Sequence, residues 1–550
     1  MGDSNPGTNT IRVKSIDYRS NASATVTRTV TVLRPLAVTA SPEARGSVPA
    51  GFSPSSYREV GRSFTVTAVA KKGAIFKGWS LGGVDVASQN IAFTAQRIGV
   101  PSVALEKPTL TFLFREGLVL TADFEENPYD ESVIGTYNGL IKASPDVPGS
   151  GTAPGVSTEG HFTATVTGTG AFSGKITIDE LVLNVAGTFD HQGRARFGTA
   201  RAFTQVVARV NKPSLIVRFD VGGPPGSVAP EGMITGEVTA TNFKNTAVTA
   251  ASTVRADRAH YTGTTGPATV PDAYLTVSGT AASPAGRTDG VFTVILPSVP
   301  LAWQPARIVG VLEESDYPKG AGVGTLRVTK AGAVTLTTTL ADGTAMTSTG
   351  KLSQDLRVAL FAPLYGLKGF FSAELQLDTS SADSDVRKAG SGEVLWSRPF
   401  SHTAQHYPYG WAETIELDLL GAKYVATAGR SMMRAPNGAF LQTPDEDGNV
   451  TLTFSEGLLS EEVVKSANLS NSDVVAKVPV NDPTFTMAVN RTTGAITGTF
   501  SHTDDTKPAY NAIIFQKGPN AGAHGYFLTK QPALIDYTGK SGKVEVIGQP

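Results

Sequence analysis

The stretch from Trp396 to Trp411 crowds Trp396, Phe400, Tyr407, Tyr409 and Trp411 together with Arg398, His402 and His406. An aromatic ring offers an apolar face and, in Tyr and Trp, a polar tip. Such rings stack on the apolar faces of sugars while polar neighbours bond the hydroxyls. Trp396, Tyr407, Tyr409 and Trp411 are therefore the candidate ligand-binding residues. The competing reading is that Trp396 and Trp411 fill a core and the Tyr407-Pro408-Tyr409 loop packs on it.

Other combinations point to chemistry less well. His402 and His406 stand four apart, as a helical metal pair does. No Glu follows His402, however, and Tyr407-Pro408-Tyr409-Gly410 breaks a helix. Asp445-Glu446-Asp447-Gly448-Asn449 places oxygen ligands at alternate positions, and Glu456 falls where a calcium loop ends. Val450 occupies the glycine position of such a loop, and Val450 to Phe454 alternates like a strand, so a hairpin is expected. Glu125-Glu126, Glu313-Glu314 with Asp316, the Asp445 to Asp447 run and Asp504-Asp505 hold carboxylates, which a glycosidase needs in pairs across a cleft. They sit in polar, turn-like stretches. Gly78-Trp79-Ser80-Leu81-Gly82 spells a nucleophile elbow, but that motif requires a helix after it, and Gly83-Val84-Asp85-Val86 follows. Gly539-Lys540-Ser541 has Leu534 where a phosphate loop needs glycine. The expectation is no catalytic residue, no metal and no cofactor.

The elements that carry these residues read as strands. Thr, Val, Ala and Ser are frequent, glycine numbers 58, and charged residues make up only 17% of the 550. Thr and Val suit a pleated, half-buried surface, and glycine supplies turns. Cysteine is absent, which removes disulfides and thiolate chemistry together. The net charge of -1 argues against a nucleic-acid partner. No apolar run approaches the length of a membrane-spanning helix. Met1-Gly2-Asp3-Ser4 opens without a leader pattern.

Along the chain, Thr8 to Ile16 and Ser23 to Val32 alternate around a turn at Asp17 to Asn21. From about residue 127 a hairpin pattern recurs, led by glycine: Gly170 to Gly174, Gly232 to Gly236, Gly332 to Leu336 and Gly494 to Gly498. The leading glycine is expected at positive φ in the turn. Tyr137 to Ile141, Ile308 to Leu312 and Tyr510 to Ile514 are expected to mark a second recurring element. Asp342-Gly343 and Asp447-Gly448 predict hairpins, Pro148 to Gly155 and Val221 to Pro230 predict loops, and Leu458 to Ala467 predicts the one helix.

Two segments resemble known families. The first alternating pair resembles the last two strands of bacterial immunoglobulin-like domains, which implies that the earlier strands are missing; the alternative is that this hairpin packs on the next domain. Gly46-Ser47-Val48, Tyr57, Gly61, Phe64 to Ala68, Gly73, Phe76, Gly78-Trp79-Ser80, Leu110 to Phe114 and Leu120 to Phe124 occur in the order of the divergent internalin B-repeat module. That resemblance implies a small β-rich domain with Trp79 in its core, on a bacterial extracellular or cell-surface protein, serving spacing and attachment.

The expected architecture is all-β and multi-domain: 1–34 the end of an immunoglobulin-like domain, 35–126 the B-repeat-like domain, then two related antiparallel barrel or sandwich units at 127–300 and 301–550. The expected function is a non-catalytic structural or adhesive surface protein, a fragment of a longer chain that self-associates, with filament formation as a variant. The alternatives are a carbohydrate-binding module using Trp396, Tyr407, Tyr409 and Trp411 on an extracellular polysaccharide, and a polysaccharide-active enzyme.

Overall fold

The computed structural model describes residues 7–84, 93–144, 153–242, 248–263, 269–277, 287–306, 308–390, 392–411, 413–529 and 539–550. Strands dominate, and the helical pieces among the described residues are short 3₁₀ turns such as Ala95–Ile98 and Ser102–Glu106. Alternating Thr and Val with glycine between them leaves no helical stripe to bury.

The N-terminal ribbon pairs Gly7–Val13 with the first half of Val26–Ser41. Its turn is fastened by Asp17, whose Oδ1 accepts the Arg19 and Asn21 N–H groups at 2.8 and 2.9 Å. Val26–Ser41 then runs on without a break. Its second half pairs with Ser55–Glu59 and lies parallel to Val119–Glu126. The boundary expected at residue 34 therefore falls inside one strand. Ile11, Val13, Val26 and Val30 remain exposed on the ribbon.

Residues 36 to 126 close a small core around Trp79, Phe112, Phe114, Leu120 and Phe124. Trp79 is buried, and its Nε1 donates to Lys107 O at 3.0 Å. Gly46 must lack a side chain, because a Cβ there would lie 2.2 Å from the Phe124 ring.

Three larger antiparallel sheets follow, and each curls on itself. In the first, strands from Gly135–Ala143 to Val248–Arg258 meander in chain order until the last pairs with the first, Tyr137 opposite Arg258. The middle sheet begins at Gly290–Pro297 and returns with Leu420–Lys423, Phe292 opposite Lys423. The third runs from Val450–Glu456 to Ser541–Gly548, Val450 opposite Gly548. The remaining seams are held by local contacts. Arg194 bridges Asp220 in the first, and Ser348 Oγ donates to Phe361 O at 3.0 Å in the middle one. Lys477 Nζ donates to Phe485 O at 3.4 Å in the third. Inward-facing side chains fill each curl, as small barrels require: Phe162, Phe172 and Phe219; Phe292, Phe371 and Trp396; Phe454, Phe500 and Phe527.

Three sheets stand where two units were expected, and residue 300 divides the middle sheet between its first two strands. The recurring glycine explains the difference. Gly170 and Gly332 each precede the third strand of their sheet, whereas Gly494 precedes the fifth of its own. All three have positive φ, at 73°, 69° and 76°. A tyrosine packs where each Cβ would stand: Tyr129, Tyr261 and Tyr424. Of the second recurring element, Tyr137 to Ile141 and Tyr510 to Ile514 are strands, but Ile308 to Leu312 is a turn.

The expected helix at Leu458 to Ala467 is absent. Val463–Leu469 is a strand paired to Val450–Glu456, because β-branched Val463 and Val464 extend the ladder once Ser460-Glu461-Glu462 has turned the chain. Asp342-Gly343 forms its hairpin, with Leu340 N–H donating to Thr344 O at 2.8 Å. Asp447-Gly448 instead leads into the first strand of the third sheet, and Phe440-Leu441 is not a strand. The expected loop at Pro148 to Gly155 lies largely outside the described residues.

Candidate functional site

Trp396 lies in Val394–Ser397, paired on one side to Gly369–Leu377 and on the other to Ile415–Leu417. Val394, Leu395 and Trp396 are all buried, so this strand is covered on both faces. The chain then loops out and turns back at Tyr407 to Gly410, where Gly410 N–H donates to Tyr407 O at 3.0 Å. Trp411 re-enters and meets Trp396 edge-on, ring centroids 4.7 Å apart, with Tyr407 5.8 Å from Trp411.

The polar tips of these rings are already satisfied. Trp411 Nε1 donates to Trp396 O at 3.0 Å, and Trp396 Nε1 to the Tyr365 hydroxyl at 3.0 Å. The Tyr407 hydroxyl accepts the Ser541 N–H at 2.8 Å. Burial pushes the Tyr365 and Tyr407 hydroxyls well above the ordinary tyrosine range. Trp396, Tyr407 and Trp411 are only 1%, 4% and 4% exposed. With faces packed and tips used, these three rings fill the middle core and have no face free for a sugar to stack on. Three of the four candidate residues, Trp396, Tyr407 and Trp411, thus lie in the core.

The cluster is organised by a buried ion pair. Asp342, at the Asp342-Gly343 turn, pairs with the Arg398 guanidinium. Asp342 Oδ2 also accepts from the Tyr365 hydroxyl at 2.8 Å and the Thr344 hydroxyl at 2.9 Å, while Oδ1 accepts the Thr344 N–H at 2.9 Å. Arg398 spends its other donors on Tyr407 O and His406 O, at 3.2 and 2.8 Å. A carboxylate with several donors and a guanidinium with several acceptors is the arrangement that offsets desolvation.

Tyr409 behaves differently. It is 80% exposed, and Phe400 beside it is 62% exposed. Their ring centroids lie 6.2 Å apart at 41°. His402 sits near Phe400 at the surface, whereas His406 turns inward and its Nε2 meets Thr529 O at 2.9 Å, on the third sheet. The two histidines thus diverge.

The remaining candidates are engaged in local structure. Asp445 Oδ1 accepts the Asp447 and Gly448 N–H groups at 3.1 and 2.9 Å, and Asn449 is buried with both side-chain ends bonded to main chain. Glu456 lies at the far end of Val450–Glu456. Among the described residues, no group of three or more His, Cys, Asp or Glu is placed to hold a metal ion. Gly78 to Gly82 lies within the single strand Ala74–Gly82, where Ser80 donates to Asp123. Glu314 accepts from Leu301 N–H at 2.8 Å and from the Tyr317 hydroxyl at 2.9 Å. Asp504 pairs with His502 at 2.8 Å.

Sequence reasoning missed a cleft of about 590 Å³ between the Trp79 module and the first sheet. Phe76, Lys77, Asp190, Arg194, Arg196 and Arg201 are among its lining. Arg196 crosses it to Glu106 at 3.0 Å and lies 3.4 Å from the centre of the Phe203 ring. The signal was the run Arg194-Ala195-Arg196-Phe197, with Arg201 and Phe203 close behind.

Comparison with known proteins places one part of the chain. Residues 36–128 match the family model described as the divergent InlB B-repeat domain, and this segment is a module of that type. No curated protein matches the chain. Among solved structures, it is similar to a protein of unknown function of the DUF3598 family from Nostoc punctiforme. The two are 10% identical, and the match covers 53% of this chain and 96% of that one at a TM-score of 0.14. A likeness that slight carries no argument about fold or role.

Proposed function

We propose that the chain is a non-catalytic extracellular structural or adhesive segment of a surface protein, in which a B-repeat module and three side-chain-filled β units stand in series. The match over 36–128 carries this reading, because that module is a repeat typical of adhesion and structural proteins. The filled curls support it: their interiors are occupied by the chain's own aromatic and branched side chains. The contacts between successive units support it as well. Asn127 Nδ2 donates to Gly168 O at 2.7 Å, Asn138 Nδ2 to Ala359 O at 2.8 Å, and Lys517 pairs with Asp385 at 2.6 Å. Microspheres coated with the pure protein should clump or adhere to cells, while the protein releases no reducing ends from a panel of soluble glycans. Turnover of any glycan in that panel would overturn the reading.

The second reading is a carbohydrate-binding surface, favoured by the two neighbouring exposed rings of Phe400 and Tyr409. On that reading, Tyr409→Ala and Phe400→Ala abolish retention on a polysaccharide column without changing the far-ultraviolet spectrum. Unchanged retention in both variants removes it.

A further inference from the structure

The cleft between the B-repeat module and the first curled sheet has a volume of about 590 Å³, within the roughly 300–1,000 Å³ usual for small-ligand sites. Its cations are mostly matched. Lys77 faces Glu125 at 3.5 Å, and Arg194 and Arg196 share Asp190 at 2.9 and 3.0 Å. Arg196 also reaches Glu106 at 3.0 Å. Arg201 is the exception. Among the described residues its side chain has no ion pair, and its Nε is buried without a hydrogen-bond partner. A buried guanidinium N–H left unpaired is unfavourable unless something supplies the acceptor.

The chain holds Arg201 in place. It stands at φ 51° in a tight turn where Arg201 N–H donates to Gly198 O at 3.2 Å and Phe197 bridges Ala202. A non-glycine residue in the left-handed region is strained, and such strain is retained where surrounding structure fixes it. Burial, with Arg196 alongside, works against the charge on Arg201, while Glu106 and Asp190 favour it from beyond ion-pair distance. A carboxylate in the cleft would give the outer nitrogens of Arg201 the close acceptor that neither Glu106 nor Asp190 supplies.

The walls narrow the class of anion. Glu106, Asp123 and Asp190 also line the cleft. They would repel a densely charged phosphate or sulfate polymer, and they accept hydrogen bonds from hydroxyls. Half-buried Phe76 gives an apolar wall. We propose that this cleft binds an acidic sugar bearing one carboxylate per ring, with Arg201 gripping the carboxylate and the wall carboxylates taking hydroxyls.

Isothermal titration of the full chain at low salt tests this, using tetragalacturonate and its fully methyl-esterified form as probes. The acid should bind, and the ester at least about tenfold more weakly, as expected when a hydrogen-bonded charge is lost. Arg201→Gln should lose at least about tenfold for the acid, and Arg201→Lys, which keeps charge but not the fork, should fall between. Hydrogen exchange on the unmodified protein should show ligand protection in residues 187–203, which requires no variant to fold. Absence of binding, equal affinity for acid and ester, undiminished binding by a folded Arg201→Gln, or protection confined elsewhere would each overturn the proposal. None of those failures bears on the spacing role of the chain.

Discussion

Asp342 has a side chain with no exposed surface, and Arg398 has 9%. Replacing Asp342 with Ala would strand that guanidinium among Trp396, Tyr407 and Tyr365. Breaking a buried pair from one side costs about 3–5 kcal/mol. Asp342→Ala should therefore lower the unfolding free energy of the middle unit, read from urea denaturation, by that amount and weaken the near-ultraviolet tryptophan signal. A loss below about 1 kcal/mol, the scale of a surface pair, would contradict the packing described. His161 provides a pH test. Its Nε2 lies 2.9 Å from Asn138 Oδ1, its ring stacks on Phe361 of the middle sheet, and desolvation there lowers its pKa to about 4. Unfolded, the ring titrates near about 6.5. Between those values the unfolded chain binds a proton that the folded chain does not. Stability should fall as pH drops from about 6.5 to about 4, by roughly 3 kcal/mol, and His161→Gln should flatten that window. Glu545 acts lower. His524, 3.7 Å away, and Lys543, 2.8 Å away, hold its pKa at about 2, so its contribution is complete above about 4.5 and is lost as pH falls towards about 2. A flat stability profile between pH 6.5 and 4 in the parent protein would contradict the desolvation of His161.

At the scale of elements, the glycine-led hairpin is the recurring device. A Cβ on Gly332 would lie 2.8 Å from Tyr261 Cβ, whereas one on Gly310, also at positive φ, would meet nothing within 4 Å. Gly310→Ala should cost about 1 kcal/mol for the left-handed backbone alone. Gly332→Ala should cost more, roughly 2–4 kcal/mol, because the tyrosine must also move. Equal losses in the two variants, compared by chemical denaturation, would remove the role assigned to Tyr261. Elements of this kind were legible in the sequence. Glycine before an alternating run names a turn, and Asp342-Gly343 names a hairpin, because both depend on neighbours within a few residues. The Trp79 module was legible for the same reason. The facing of Trp396 was not. Val394, Leu395 and Trp396 are buried on both sides of their strand, so alternation gives no inside and outside to read. Nor was Arg201, which acquires its meaning only when the module brings Glu106 and Phe76 across from another part of the chain.

For the whole molecule, the number of curled units was hidden because each closes through its first and last strands. Tyr137 pairs with Arg258, Phe292 with Lys423, and Val450 with Gly548. Pairings that distant leave no mark on local periodicity, and taking Tyr137 to Ile141 and Ile308 to Leu312 as a recurring element suggests two units instead of three. All-β character was legible because composition and alternation leave little helical periodicity, the one expected helix at Leu458 to Ala467 excepted. The proposed spacing role requires a series of separately cored units that carry extension, the middle and third of them also sharing the small apolar cluster of Ile295, Ala422, Ile513 and Phe515. Single-molecule stretching of the full chain tests that claim most directly. It should give four separate unfolding steps, one for the B-repeat module and one for each curled sheet, each releasing roughly 300–570 Å of chain at about 3.5 Å per residue. A single step releasing the whole chain, or a featureless low-force extension, would contradict it.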